Sequence, residues 1–419
     1  MAYPLMFRLR QEQHGPRVGD VAAAVDSELS NLDLRGKIKQ GETVAITCGC
    51  QRISNHAVIL RAVADHFRNR GAIPFIVPAM GIHGGSTPNE QRQVLQALGI
   101  TEETTGAAVR LSTEAEIIGQ STDGLPVYCD SQALHANHIV VVNRVSLHPI
   151  FHGDVQCGLL EMIAIGLGKI AGAQNCYAAA ENSSFEDVTR SVYKVMQKKA
   201  NLLAGLMIVE NGHHETARVQ AAGPEDLPAR EGSMLHYARG LSPRLPFRFI
   251  DILLVDEIGT TFSCLGADSN VMGRKHSPHV RSEGEFPQTR TVVYRDLSPQ
   301  SLGNATGVGH AEFVRSRLLG KIDSKTTRMT SLAIRMPTLA ARPIDYQSDR
   351  EILDAALSGF NLPGRARVVW MRNTSSISEF ECSEPYLDEV QHWKDLSVVS
   401  GLHPLDFDLQ GNLRDYVIE

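Results

Sequence analysis

No apolar run in this 419-residue chain approaches the roughly 20 residues needed to cross a bilayer, and Met1 to Asp20 carries charges where a secretory signal needs an apolar core. Neither a membrane span nor a signal is expected, and the expected location is the cytoplasm. An excess of one charge sign is also missing. Lys and Arg number 41 against 47 Asp and Glu, a formal net charge of -6 with the signs interspersed, which leaves no footprint for nucleic acid or an anionic membrane. The seven cysteines are an odd, scattered set, unlike a secreted disulfide framework. Cys48-Gly49-Cys50 is too close-spaced for the usual zinc pair, and no second pair answers it. The chain lacks a phosphate-binding P-loop, a His-Glu-x-x-His and a Gly-x-Ser-x-Gly. Gly166-Leu167-Gly168 lacks the third glycine of a dinucleotide loop and follows a helix rather than a strand. There is no internal repeat, low-complexity tract or heptad seam.

What is present is an ordinary globular composition, 42% hydrophobic and 21% charged, in a chain long enough for two or three domains. Thr43 to Thr47 reads as an apolar strand. A helix follows, with Val58, Ile59, Ala62, Val63 and Phe67 at a 3.6-residue period, closed by Gly71. Pro74 to Val77 is a second strand. Thr87-Pro88-Asn89-Glu90 has the form of a capping box and predicts the next helix start. Leu98 to Val127 has a weaker pattern and reads as an accessory segment. The β-branched run His138 to Val142 is a buried parallel strand. Helical patterns over Ala171 to Ala180 and Ser184 to Leu203, then a strand at Leu206 to Val209, continue the alternation.

Prolines and glycines crowd Gly223 to Phe249 and mark a boundary. A second α/β unit begins at Ile250 to Gly259, with helices expected over Ala311 to Leu319 and Asp349 to Leu357 and a late strand at Ala366 to Met371. The expected domains are 1–245, carrying the catalytic and cofactor functions, and 246–400, with a tail, 401–419, packing back on the first domain.

The candidate chemistry gathers at strand ends, where open α/β sheets collect their ligands. Arg52 and His83 sit at two of them. After the strand at His138, the stretch Asn143 to Lys169 supplies Arg144, His148, His152 and Asp154. A His-Pro pair in such a place is equally read as a solvated loop, and His83 as a loop residue hydrogen-bonded to backbone. Two histidines facing one substrate can remove and return a proton, and an arginine beside them can clamp a carboxylate. That pattern suits a small anionic substrate.

Several segments, in order, resemble the lactate racemase family: Gly49 to Asn55, Pro78 to Gly85, His148 to Lys169, Val255 to Gly259, Asp268 to Arg274 and Gly303 to Gly307. The resemblance spans most of the chain and is closest to the family's broad branch. It implies two α/β domains with mainly parallel sheets and a cleft between them. It also implies a racemase or epimerase of 2-hydroxy acids using a nickel-pincer nucleotide that takes and returns a hydride. His83 and His148 match the family's acid/base histidines, and Arg52 an arginine that holds anionic groups; Arg144, His152 and Lys169 are further substrate- or cofactor-binding candidates. Three positions depart from the pattern. Glu161 stands where tethering members carry a lysine, so the nucleotide would be held non-covalently. Tyr177 stands at the nickel-ligand position, with Cys176 adjacent as a softer donor. Thr260 replaces a lysine of the site. The alternatives are a homologue that has lost nickel and binds a small anion or nucleotide without racemising it, and a metal-assisted enzyme using His148, His152 and Asp154.

Overall fold

The computed structural model describes residues 2–34, 36–49, 53–82, 87–274 and 287–414. They form a mixed α/β protein whose sheets are mainly parallel, and the chain divides into two compact units, 14–242 and 1–13 with 243–419.

In the first unit the apolar runs expected as strands all lie in one sheet. Six strands lie in the order Ala108–Val109, Ile73–Pro78, Thr43–Cys48, His138–Arg144, Leu202–Glu210, Thr216–Ala222. All neighbours are parallel except the last pair. Central strands of such a sheet are covered on both faces, and Val140, Val141 and Val142 are fully buried. The helix His56–Arg68 buries Ile59, Leu60, Val63 and Phe67 against this sheet, the face its period predicts. The capping box is present: the Thr87 hydroxyl accepts from Glu90 N–H, and Glu90 reaches back to Thr87 N–H. The accessory segment contains an antiparallel pair, Ala115–Gln120 with Pro126–Asp130. Within the proline-rich boundary, a helix, Leu227–Leu241, forms with Pro228 in its first turn, where the missing N–H removes no bond.

The second unit holds an eight-stranded sheet, ordered Ile344–Tyr346, Phe313–Arg315, Gln288–Leu297, Phe249–Ile258, Val368–Met371, Glu379–Ser383, Met6–Gln11, Leu396–Val398. Its first five strands are parallel and the rest antiparallel. Two expected boundaries need correction. Residues 1–13 belong here, because Met6–Gln11 pairs with Glu379–Ser383 and fills the core with Phe7 and Leu9. The tail joins this unit too: Met6 and His403 exchange backbone bonds of 2.8 Å, and Leu413 N–H reaches Asp349 at 2.9 Å. The single helix expected over Ala311 to Leu319 is instead a strand, Phe313–Arg315, with a short helix, Ser316–Leu319; adjacent parallel strands claim the backbone bonds of Phe313 and Val314. No helix among the described residues is long and apolar enough to cross a membrane.

Candidate functional site

The strand His138–Arg144 delivers the chain into a loop that doubles back on itself. Ser146 N–H donates to the Cys157 carbonyl at 3.0 Å, so the ten residues between are held as a closed excursion. Inside it Gln156 Oε1 accepts from His148 N–H at 2.7 Å, and Gln156 Nε2 donates to the Gly153 carbonyl at 3.1 Å. Gly153 has φ 125°, and a Cβ there would stand 2.6 Å from the Glu186 carboxylate, which itself accepts from Asp154 N–H at 2.8 Å. Only glycine fits so close an approach at that φ.

The His148 ring is packed as well as hydrogen-bonded. Its centroid lies 4.8 Å from that of Phe151 and 5.4 Å from that of Phe185, and these two phenyl rings stack at 4.1 Å with 3° between planes. Nδ1 accepts from Ile150 N–H at 2.9 Å and Phe151 N–H at 3.1 Å. Nε2 lies 3.5 Å from Glu161 Oε1.

Glu161 closes a short helix, Leu159–Glu161, that runs on as a π-helical turn, Met162–Gly166, a form enriched at functional sites. The buried amides at its start, which have no partner within the helix, are satisfied by Glu231, whose Oε2 accepts from Leu159 and Leu160 N–H at 2.8 and 3.0 Å. Burial pushes the Glu231 carboxyl up to about 8, against the lowering pull of those two amide bonds. A Cβ on Gly158 would sit 2.3 Å from Glu231 Oε1, so the Glu231 side chain can approach this close only because residue 158 has no side chain. Sequence reasoning passed over Glu231. A signal was available: it occupies the apolar stripe of its helix with Leu227, Met234, Leu235 and Ala238, where an acid needs a partner.

The other candidates separate. Arg144 is bound to Glu210 at 2.6 Å, and Glu210 also accepts from Ser54 N–H at 2.5 Å, so the Glu210 carboxylate ties the ends of two adjacent strands to the turn at Ser54. Lys169 is buried at φ 54°, its ammonium 2.6 Å from Asp130 and 2.5 Å from the Pro78 carbonyl; it is the cation of an interior pair and not an amine facing a ligand. His152 is half-buried in the loop. Tyr177 is buried with its ring 6.2 Å from that of Phe151. The Cys176 thiol donates to the Ala164 carbonyl at 3.8 Å, and burial pushes it up to about 12. Thr260 lies in the other unit, its N–H bound to Ser301 Oγ at 3.0 Å. Arg52 and His83 fall outside the described residues.

Ligand atoms of His148, Cys157 and Glu161 lie within 4.8 Å of one another, compact enough for a metal. The tautomer speaks against it. A metal-bound histidine donates its other ring N–H to an acceptor, whereas Nδ1 here meets two donors.

Residues 8–153 match the family model of the lactate racemase N-terminal domain. Among solved structures, the lactate racemase apoprotein from Thermoanaerobacterium thermosaccharolyticum is similar over 88% of this chain and 94% of its own, with 15% identity and a TM-score of 0.55. A protein from Thermotoga maritima is similar over 79% and 84%, with 11% identity and a TM-score of 0.50. No curated protein matches the sequence. The fold is thus the mainly parallel α/β fold of lactate racemase. The family match itself is confined to residues 8–153, about a third of the chain.

The nickel-pincer nucleotide that the resemblance implies does not fit the donors described at positions 161, 176 and 177. Position 161 offers no amine for a tether. A thiol held protonated at Cys176 and the buried phenol of Tyr177 are poor partners for nickel.

Proposed function

We propose that the chain is an isomerase, a racemase or epimerase acting on a small anionic 2-hydroxy acid. One observation carries the reading: the segment matching the lactate racemase N-terminal domain ends in the loop that holds His148 in a fixed orientation beside Glu161. In this reading His148 and Glu161 bind and orient the substrate, while Phe151 and Phe185 cover the imidazole and keep water from it. Arg52 and His83 are the expected partners for the carboxylate and the second proton. Because the donors at 161, 176 and 177 do not suit the nickel nucleotide, no step is assigned to it.

Those same donors favour a second reading, a homologue that binds a small anion or nucleotide without turning it over. The deciding experiment incubates single enantiomers of 2-hydroxy acids in deuterated water with protein made in a host that has the nickel-nucleotide pathway. Chiral chromatography, with nickel measured on the same sample, reads the result. Interconversion that disappears in His148→Ala supports the isomerase. Binding of the acid with no interconversion would replace it by the second reading.

A further inference from the structure

The loop around His148 decides which ring nitrogen carries the proton. A nitrogen accepting from two backbone N–H groups is unprotonated, so the neutral ring places its hydrogen on Nε2. That N–H faces the Glu161 carboxylate across 3.5 Å, longer than a good N–H···O bond. The carboxylate side chain is 19% exposed and the imidazole 5%. A donor and an acceptor thus face each other at more than a good hydrogen-bond distance, with the carboxylate partly exposed.

We propose that His148 and Glu161 form a clamp for a ligand hydroxyl, whose oxygen accepts from Nε2–H while its hydrogen is donated to the Glu161 carboxylate. A hydroxyl combines donor and acceptor on one atom, and so satisfies both walls at once. A carboxylate placed there meets a like charge, and an ammonium leaves the Nε2–H unanswered. The clamp deepens the hydroxy-acid reading and rests on it. It makes Glu161 the residue that selects the 2-hydroxyl, with the substrate carboxylate directed away from it. His148 presents an N–H in this arrangement, so the lone pair that receives the hydroxyl hydrogen bond belongs to Glu161.

The test titrates the full chain calorimetrically with lactate and with propionate, which differs by the missing hydroxyl. Wild type is expected to favour lactate by about tenfold, the equivalent of one charge-assisted hydrogen bond. Glu161→Leu should bring the lactate-to-propionate affinity ratio to about one, and Glu161→Gln, which keeps a neutral acceptor, should retain part of the preference. Nitrogen-15 NMR of histidine-labelled protein, with His148→Asn for assignment, should show the Nε2–H tautomer at His148 in wild type and in Glu161→Leu. An Nδ1–H tautomer overturns the clamp, as does a lactate preference that survives Glu161→Leu. Wild-type protein that binds lactate no better than propionate overturns both the clamp and the hydroxy-acid reading. That result is distinct from a wrong assignment to Glu161, in which wild-type selectivity is intact.

Discussion

Two fully buried carboxyl groups, Asp349 in one unit and Glu231 in the other, are held in opposite ways. Asp349, in the unit built on 243–414, accepts from Arg295 Nε and Nη2 at 3.1 and 2.9 Å, from Arg315 Nη1 at 2.9 Å and from Leu413 N–H at 2.9 Å. Arg295 reaches on to Asp256, which also takes the Trp370 indole N–H at 2.6 Å. Burial alone would raise the Asp349 carboxyl, but the hydrogen bonds and charge of Arg295 and the charge of Arg315 outweigh it and hold it below the usual range. Glu231, in the 14–242 unit, has two amides on one oxygen and, among the described residues, no hydrogen-bond partner on the other, and burial holds it near 8. The first group is a closed circuit that ties a chain end to a sheet. The second is an acid kept largely neutral under the segment that carries Glu161. A buried charge met by several donors reads as architecture, whereas a buried acid held neutral beside a candidate site reads as a poised element.

Breaking the closed circuit should have the largest effect. Asp349→Ala takes from Arg315 and from the 1%-exposed Arg295 the carboxylate they share, leaving Arg295 only Asp256 as a charged partner, and is expected to cost roughly 3–5 kcal/mol, read by urea denaturation. Asp349→Asn should cost less near the acid limb than at neutral pH. The sign follows from linkage: a lowered folded pKa gives stability that is present above the unfolded value of 3.8 and is lost as pH falls through the folded one. The variant therefore flattens the acid side of the stability curve.

Glu231 should act on the other side. Its folded value, near 8, lies above the unfolded 4.5, so its contribution is complete below about pH 4.5 and fades as pH rises toward 8. One proton is worth about 1.4 kcal/mol per pH unit, so wild type should lose about 3 kcal/mol relative to Glu231→Gln between about pH 5 and about pH 7. Parallel pH profiles for the two proteins would mean that Glu231 stays ionised in the fold, and the contrast with Asp349 would collapse.

The parallel sheet around the site was legible because its strands are apolar runs bounded by turns and its helices keep their period; His138–Arg144 and His56–Arg68 fall where pattern placed them. The capping box at Thr87 was legible for the same reason, since it is local chemistry. What escaped were partnerships across long separations. The pairing of Met6–Gln11 with Glu379–Ser383 joins the two ends of the sequence, and no local window contains both. Arg144 and Lys169 looked like ligand-binding cations because the partners that claim them, Glu210 and Asp130, lie 66 and 39 positions away. The His148 tautomer is set by two backbone amides, which every residue but proline possesses and which therefore leave no mark in the sequence.

The smallest expected effect concerns the aromatic cover of His148. Phe151→Leu keeps an apolar side chain but removes a ring stacked on Phe185 at 4.1 Å and lying 4.8 Å from the imidazole. Phe151 is only half-buried, so the loss is expected to be the ring-specific part, about 1 kcal/mol, measured by thermal or urea unfolding. The backbone N–H of residues 150 and 151 should still bond Nδ1, since leucine leaves the main chain intact, but with less packing to hold the loop they should exchange with solvent faster. Hydrogen exchange resolved to this loop separates two origins of the ring's orientation. Faster exchange at 150 and 151 with the Nε2–H tautomer retained assigns orientation to the amides and rigidity to the phenyl pair. A tautomer that changes with the phenyl ring would make packing the cause, and the loop's hydrogen bonds its consequence.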